Sequence, residues 1–161
     1  MKRLLALILT ITVCFGLLSC NKSAESAVDQ LTENDYELYS VIKNKLSDFK
    51  NPASVTIISA AKTKNNLAVV DVSALNGYGG NSSEEYLIAL EDLYVGDALI
   101  MSKGGMKEPS TVLTCIGSIS SIDKEAKVQF SNDLVEMESC YDVSALNAAL
   151  KEYKMDQGWI D

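Results

Sequence analysis

The chain has 161 residues, with 14 Lys or Arg against 22 Asp or Glu, so its formal net charge is −8 at pH 7. An acidic chain is a poor partner for nucleic acid, because counterion release from phosphates requires clustered Lys and Arg. The chain contains no His. Its absence excludes Ser-His-Asp and Cys-His catalytic arrangements and removes the commonest zinc ligand.

The N-terminal segment has the features of an export signal. Lys2 and Arg3 precede an apolar run from Leu4 to Leu18. That run is short for a transmembrane helix, which needs about 20 apolar residues, and suits a secretory signal peptide. It ends in Leu17-Leu18-Ser19-Cys20, which resembles the lipobox of bacterial lipoproteins.

This resemblance implies cleavage after Ser19, a diacylglycerol group on the Cys20 thiol and acylation of the new amino terminus. Several acyl chains give stable membrane attachment, whereas a single chain binds only marginally. The resemblance therefore implies a bacterial protein held on the extracytoplasmic side of a membrane through Cys20. The alternative is an ordinary signal peptide, or a membrane helix, in which the cysteine has no role.

Cleavage before Cys20 leaves 142 residues with a formal charge of −10, since Lys2 and Arg3 are lost. This length is enough for one domain with its own core. We therefore expect a signal peptide over 1–19, a flexible tether over 20–32 and a single α+β domain over 33–161.

Two cysteines remain after Cys14 is discarded and Cys20 is assigned to lipid, namely Cys115 and Cys140. An even number of cysteines in an exported protein favours a disulfide. We expect a bond between them; the alternative is two buried thiols that behave as small apolar side chains.

The domain is predicted to begin with a helix. Asn34 and Glu37 fit a capping box, and Pro52 ends the segment because the residue before a proline disfavours the helical conformation. One face carries an apolar stripe at helical spacing, for which core packing is the favoured interpretation: Tyr36, Tyr39, Ile42, Leu46 and Phe49.

An antiparallel hairpin is predicted next. A strand opens at Val55 to Ile58, Lys64-Asn65-Asn66 supplies turn residues, and Leu67 to Leu75 forms the second strand. In this second strand Ala68, Val70, Val72 and Ala74 share one face.

The segment from Asn76 to Asn81 contains three glycines and is the most irregular loop in the chain. One interpretation is a recognition loop that presents Tyr78, with Asn76 and Asn81 as hydrogen-bonding groups. The alternative is a tight turn between strands, which glycine permits because it adopts positive φ. No Lys-Ser/Thr pair follows, so the loop is not a phosphate-binding P-loop.

Two stretches, Asn51-Pro52-Ala53-Ser54-Val55 and Asn76-Gly77-Tyr78-Gly79-Gly80, together resemble a pattern in small uncharacterised exported proteins and lipoproteins, mainly Gram-positive. There, a strand preceded by the first stretch is followed by a glycine-rich loop. This resemblance implies the fold and carries no catalytic residues.

Further strands are predicted over Ser83–Val95, Thr111–Ile122 and Val128–Phe130, with a short apolar run at Ala98–Met101. The hexapeptide Asp-Val-Ser-Ala-Leu-Asn occurs twice, at Asp71–Asn76 and at Asp142–Asn147.

The flanks of the two copies differ, so the first copy is predicted to be a strand and the second a helix. We expect Asp142 or Ser144 to cap this C-terminal helix, Gly158 to end it and Trp159 to fold back onto the core.

The acidic residues offer a weak case for catalysis. Paired carboxylates at a fixed separation would support glycan hydrolysis, but the acids of this region are better explained as a solvated surface: Glu84, Glu85, Glu91, Asp92 and Asp97. EF-hand spacing is absent. We therefore predict no cofactor, no metal and no catalytic residue.

Together these patterns predict an α+β fold with an N-terminal helix, an antiparallel sheet of four or five strands and a C-terminal helix packed on one face. The function they favour is a lipid-anchored cell-envelope module that binds a protein, peptide or glycan through the Gly77–Gly80 loop. The alternatives are a carboxylate-dependent cell-wall or glycan hydrolase and a purely structural lipoprotein.

Overall fold

The fold is built around a five-stranded antiparallel sheet whose central strand is the second of the predicted hairpin. The computed structural model describes residues 25–161. The sheet strands are β1 (Thr56–Thr63), β2 (Leu67–Leu75), β3 (Asn81–Ala89), β6 (Met106–Lys107) and β7 (Met137–Cys140). They lie in the order β6-β3-β2-β1-β7, and β4 (Leu93–Val95) pairs separately with β5 (Ala98–Met101).

Four helices complete the described fold: α1 (Glu33–Lys45), α2 (Pro109–Ser118), α3 (Lys124–Val135) and α4 (Val143–Asp156). Short 3₁₀ turns lie at Val28–Gln30, Leu46–Asp48 and Pro52–Ser54. The α+β class, the N-terminal helix, the antiparallel sheet and the packed C-terminal helix are thus as predicted.

The two faces of the sheet bury two separate apolar clusters. On one face α1 and α4 pack against β1, β2 and β3, with Leu38, Ile42, Val70, Ile88 and Leu150 inaccessible to solvent. On the other face β4, β5, α2 and α3 surround Leu67, Leu87 and Val112. Because side chains alternate across a strand, neighbouring residues of β3 serve different clusters.

The hairpin of β1 and β2 forms as predicted, and Asn66 adopts a φ of 52° in its turn. The hexapeptide repeat also divides as predicted: Asp71 to Leu75 are strand and Val143 to Asn147 are helix. The Asp142 side chain caps α4 by accepting from the Ala145 N–H at 3.0 Å. Local sequence identity is therefore overridden by the surrounding sequence.

The C-terminal end of α4 is also as predicted. Gly158 adopts a φ of 68°, and the Trp159 ring packs edge-on to Tyr153 at 5.9 Å.

Two predicted strands are helices instead. Thr111–Ile122 falls largely within α2, where Pro109 occupies the first turn and Val112 and Ile116 are buried one helical turn apart. Val128–Phe130 lies within α3, whose cap is Asp123, with its side chain accepting from the Ala126 N–H at 2.7 Å. Proline at the first position and aspartate at the cap both favour a helical start, so these local signals outweigh the β-branched residues.

The start of α1 also differs from the prediction. Thr32, rather than Asn34, is the cap, because its hydroxyl oxygen accepts from the Asp35 N–H at 3.2 Å. The buried Asp35 carboxylate in turn accepts from the Asp142 N–H at 3.0 Å. This bond joins the starts of α1 and α4.

Part of the expected flexible tether is docked onto the domain. The Glu152 carboxylate accepts from the Ser26 hydroxyl at 2.8 Å and from the Ala27 N–H at 2.9 Å. Ala27, Val28 and Leu31 pack against the apolar cluster between the sheet and the helices α1 and α4. Residues 26–31 therefore belong to the domain rather than to a free tether.

The predicted signal peptide and Cys20 lie outside the described residues. Within residues 25–161, no helix combines the length and the apolar character needed to cross a bilayer.

Candidate binding groove at the end of the β2–β3 hairpin

A groove of about 260 Å³ opens where α1 stops short of the end of the sheet. Its floor is the outer part of the face that α1 and α4 cover further along, formed by Val72 and Ala74 of β2 and by Ser82, Glu84 and Tyr86 of β3. Helix α1 ends at Lys45, and residues that follow it contribute to the groove. The remaining walls come from residues 48–50 and residues 75–77.

The wall opposite β3 is positioned by the residues that follow α1. Leu46 is buried in the core, and Phe49 then meets Tyr86 with ring centroids 5.9 Å apart and an interplanar angle of 78°. Edge-on pairs of this kind are favourable beyond the area they bury. A smaller cavity of about 120 Å³ lies beside this ring pair, bounded also by Lys45 and Met106.

Ser54 ties this wall to the end of β2. Its hydroxyl donates to the Asn51 carbonyl at 2.8 Å and accepts from the Leu75 N–H at 2.8 Å. Pro52 begins the 3₁₀ turn that places Ser54 there. The stretch Asn51 to Val55 therefore fixes the distance between the groove wall and the loop, which explains why serine and proline occur together in it.

Tyr86 and Glu84 form the polar part of the floor. The Tyr86 hydroxyl donates to Glu84 Oε2. Burial raises the pKa of Tyr86 to about 12, with a further contribution from the hydrogen bond to Glu84. Tyr86 is therefore a neutral donor at any physiological pH.

The predicted recognition loop is a closed turn. The Asn76 N–H donates to the Gly80 carbonyl at 2.8 Å, and Asn76 Oδ1 accepts from the N–H groups of Tyr78 and Gly80, both at 3.0 Å. Gly79 has a φ of 80°, a conformation that other L residues rarely adopt. The loop therefore has the turn geometry of the alternative interpretation, and Asn76 is a structural residue of this turn.

One of the three predicted ligand-loop residues lines the groove, and the other two lie outside its lining. Asn76 lines it, Tyr78 is fully exposed at the tip of the turn, and Asn81 is exposed at the start of β3. Their role in binding remains a prediction.

The outer edge of β3 is largely unpaired. Its partner β6 reaches only Leu87 and Ile88, while β2 pairs with every residue from Asn81 to Ala89 on the other side. Among residues 25–161 none hydrogen-bonds to the outward backbone groups of Asn81, Ser83 or Glu85. No sequence pattern indicates this open edge, because it depends on where β6 ends.

The acids proposed for hydrolysis are dispersed. Glu91 accepts from the Asn66 side chain at 3.0 Å, and Asp92 accepts from the Lys103 N–H at 2.7 Å. Glu85 lies opposite Asp71 on the side of the sheet away from the groove floor. Only Glu84 reaches the groove, where the other carboxylate is that of Asp48.

Each of the two groove carboxylates already interacts with a neighbouring side chain. The Tyr86 hydroxyl binds Glu84, and Lys45 Nζ lies 3.5 Å from Asp48 Oδ2. Among the residues that the structure describes, no three potential ligands gather into a metal site. The arrangement favours recognition by hydrogen bonds and aromatic contact.

The expected disulfide is absent. Cys115 and Cys140 are both free thiols, half-buried on α2 and exposed on β7 respectively. Helix α2 contacts β3 and β5, whereas β7 pairs with β1 at the opposite edge of the sheet. The two thiols therefore lie on separate elements, and no disulfide is present among residues 25–161.

Comparison with models of protein families, with curated proteins and with solved structures finds no match to this chain.

Proposed function

We propose that the protein is a lipid-anchored module of the bacterial cell envelope that binds a segment of a partner polypeptide in the β2–β3 groove. The observation that carries this proposal is the groove itself: an aromatic pair, Phe49 and Tyr86, lies beside polar groups from Asn76, Ser82 and Glu84. Binding sites commonly combine an apolar lining with a few placed polar groups.

The exposed tip of the hairpin supports the same function. Tyr78 is completely exposed although tyrosine is an amphipathic side chain that favours interfaces. The turn that carries it is held by Asn76, so the tyrosine is presented at little conformational cost on binding.

Attachment to the membrane is proposed through acyl chains on Cys20. Between Cys20 and the docked Ser26 there are only five residues, Asn21 to Glu25, which span at most about 20 Å. Such a linker holds the domain close to the membrane surface. The Cys20→Ser variant is expected to lose detergent-phase partitioning and the mass of the lipid; equal partitioning of the two proteins would contradict the anchor.

Capture from envelope extract tests the binding function. The tagged full-length chain in detergent is compared with Tyr78→Ala and with Tyr94→Ala, which removes another exposed tyrosine, 56% accessible, on β4. A partner that is recovered by wild type and Tyr94→Ala but depleted by Tyr78→Ala supports the proposal. Equal recovery by all three proteins would contradict it.

A further inference from the structure

We infer that the partner segment, on the basis of the proposed binding function, is an extended basic peptide that pairs with the open edge of β3 as an additional strand. The occupant lies alongside Asn81 to Glu85, in line with β6, and carries Lys or Arg opposite the acidic residues of β3. This identifies both the binding mode and the chemistry of the partner.

The hydrogen bonds at the C-terminal end of β3 show which of its residues direct their backbone N–H and C=O groups toward the open edge. The Ala89 N–H donates to the Gly105 carbonyl at 2.9 Å, and the Ala89 carbonyl accepts from the Gly104 N–H at 2.7 Å. Alternate residues of a strand direct these groups to the same edge. Asn81, Ser83 and Glu85 therefore present their N–H and C=O groups outward.

The segment after β6 leaves this edge open. Lys107 pairs with Leu87, and Pro109 then begins α2, which packs against β3 and β5, so the strand pairing of β6 ends at Leu87. A row of unpaired donors and acceptors is a template for strand addition. At the opposite side of the sheet Asn147 and β7 occupy the outer side of β1, and the edge strand is the four-residue β7.

The charge of this edge specifies a basic occupant. Glu85 faces Asp71 directly across the ladder, and Glu84 occupies the adjacent position on the groove side. Like charges in directly opposed positions destabilise a sheet. The ion pairs within residues 25–161 are Lys45–Asp48, Lys64–Glu136 and Lys103–Glu37, so none of these three carboxylates takes part in an ion pair.

A second copy of the chain fits this edge poorly. Antiparallel pairing of two β3 edges would bring Glu84 and Glu85 of both copies into one short ladder, which like-charge repulsion disfavours. Inward or edge charges are a known means of preventing self-association of sheets.

The amino-terminal segment of the mature chain is also a poor occupant. Only residues 20–24 precede the described part, and Ser26 is held by Glu152 on α4, which packs against β1. Reaching β3 from there requires crossing two strand spacings of about 4.8 Å each. Too few residues would remain to pair with Asn81 to Glu85.

The groove supplies the side-chain contacts that backbone pairing alone lacks. Side chains of an added strand alternate between the two faces of the sheet. Those on the groove side lie next to Glu84 and Tyr86, and those on the other side lie next to Glu85. On the groove side the aliphatic part of a long basic side chain packs on Tyr86 while its charge meets Glu84, and on the other side its charge meets Glu85.

The experiment measures binding of a fluorescein-labelled octapeptide of alternating lysine and valine to the full-length chain in nonionic detergent. Ser83→Pro removes an outward N–H without affecting the ladder to β2, and proline is tolerated on an edge strand. Ser83→Ala is its matched control. We expect Ser83→Pro and Glu84→Gln/Glu85→Gln each to weaken binding about tenfold, and Ser83→Ala to leave it unchanged.

Residue-resolved hydrogen exchange of the wild-type chain gives a measurement that does not depend on how Ser83→Pro folds. Peptide binding is expected to slow exchange at the Ser83 and Glu85 N–H groups and to leave Ser82 and Glu84 unchanged. Uniform protection of all four residues would overturn strand addition.

Other outcomes separate this inference from the proposed function. Equal binding of a glutamate–valine octapeptide would overturn the basic partner, and a dimer dispersed by Ser83→Pro would assign the edge to a second copy instead. If Tyr78→Ala abolishes envelope capture while the lysine–valine peptide fails to bind, strand addition is overturned and the binding function stands. If capture is also independent of Tyr78, both are overturned.

Discussion

At the outer edge of β1 the side-chain amide of Asn147 makes the two hydrogen bonds with the Ile57 backbone that a neighbouring strand would otherwise make. Its Oδ1 accepts from the Ile57 N–H at 2.9 Å, and its Nδ2 donates to the Ile57 carbonyl at 2.8 Å. The side-chain amide thus replaces the paired donor and acceptor that a neighbouring residue would provide. Further along the same edge β7 pairs with Ala61, Lys62 and Thr63.

Asn147→Ala is expected to lower the free energy of unfolding by about 1–3 kcal/mol, because two backbone groups of β1 lose their partners. Urea denaturation measures this change. Asn147→Leu, which also removes both hydrogen bonds but keeps the volume, should be destabilised as well. An unchanged midpoint in Asn147→Ala would show that water satisfies Ile57 equally well.

The thiols provide a direct test of the cysteine arrangement. Mass spectrometry of the native chain after alkylation without reductant is expected to show labels on both Cys115 and Cys140, since neither is bonded. Cys140 should react faster, because it is exposed whereas Cys115 is half-buried. A mass lower by two hydrogens and resistant to alkylation would instead establish the disulfide.

Tyr86 should make stability depend on pH in the alkaline range. Its pKa is raised to about 12 in the folded chain by burial and by the hydrogen bond to Glu84, against 10.0 for an ordinary tyrosine. Above pH 10 the unfolded chain therefore releases a proton that the folded chain keeps. The stabilisation is complete below pH 10 and is lost between pH 10 and about pH 12.

Urea denaturation at pH 9 and pH 11 tests this dependence. Tyr86→Phe is expected to lose less stability than wild type over this interval, while Tyr78→Phe, which alters the fully exposed tyrosine, should behave as wild type. Tyr141, whose pKa burial also raises to about 12, contributes to all three proteins. Identical losses in wild type and Tyr86→Phe would contradict the assigned role of Tyr86.

The sequence predicts the elements whose local signals agree with one another. In β2 the alternation of Ala68, Val70 and Val72, the turn residues before it and the glycines after it all favour the strand. In α2 the signals conflict, since Val112 and Ile116 fit both an alternating and a helical period over so short a segment. Pro109 was the decisive signal there.

The groove could not be predicted from sequence patterns, for a different reason. Its lining comes from residues 48–50 and from strand and turn residues of the β2–β3 hairpin, and it is the folded arrangement that brings Phe49 to Tyr86. Asn76 was predicted as a binding residue from composition alone, yet its side chain is used to hold the turn. Amides that favour recognition loops also favour tight turns, so composition does not separate the two.

Glu152 controls how much of the N-terminal segment is docked. It accepts hydrogen bonds from both Ser26 and Ala27, at 2.8 and 2.9 Å. Glu152→Ala is therefore expected to release residues 26–31 and to speed proteolytic cleavage within them, because exposed and unpaired backbone is the preferred protease substrate. Limited proteolysis followed by mass spectrometry measures the cleavage rate.

Glu152→Gln is the matched control, since its carbonyl oxygen still accepts from the Ala27 N–H while its charge is lost. It should be cleaved at a rate between those of wild type and Glu152→Ala. The free energy of global unfolding should change little in either variant, because Val28 and Leu31 lie at the margin of the apolar cluster between the sheet and the helices α1 and α4. A cleavage rate in Glu152→Ala equal to that of wild type would show that apolar packing alone docks the segment, and that the distance from Cys20 to the domain does not depend on Glu152.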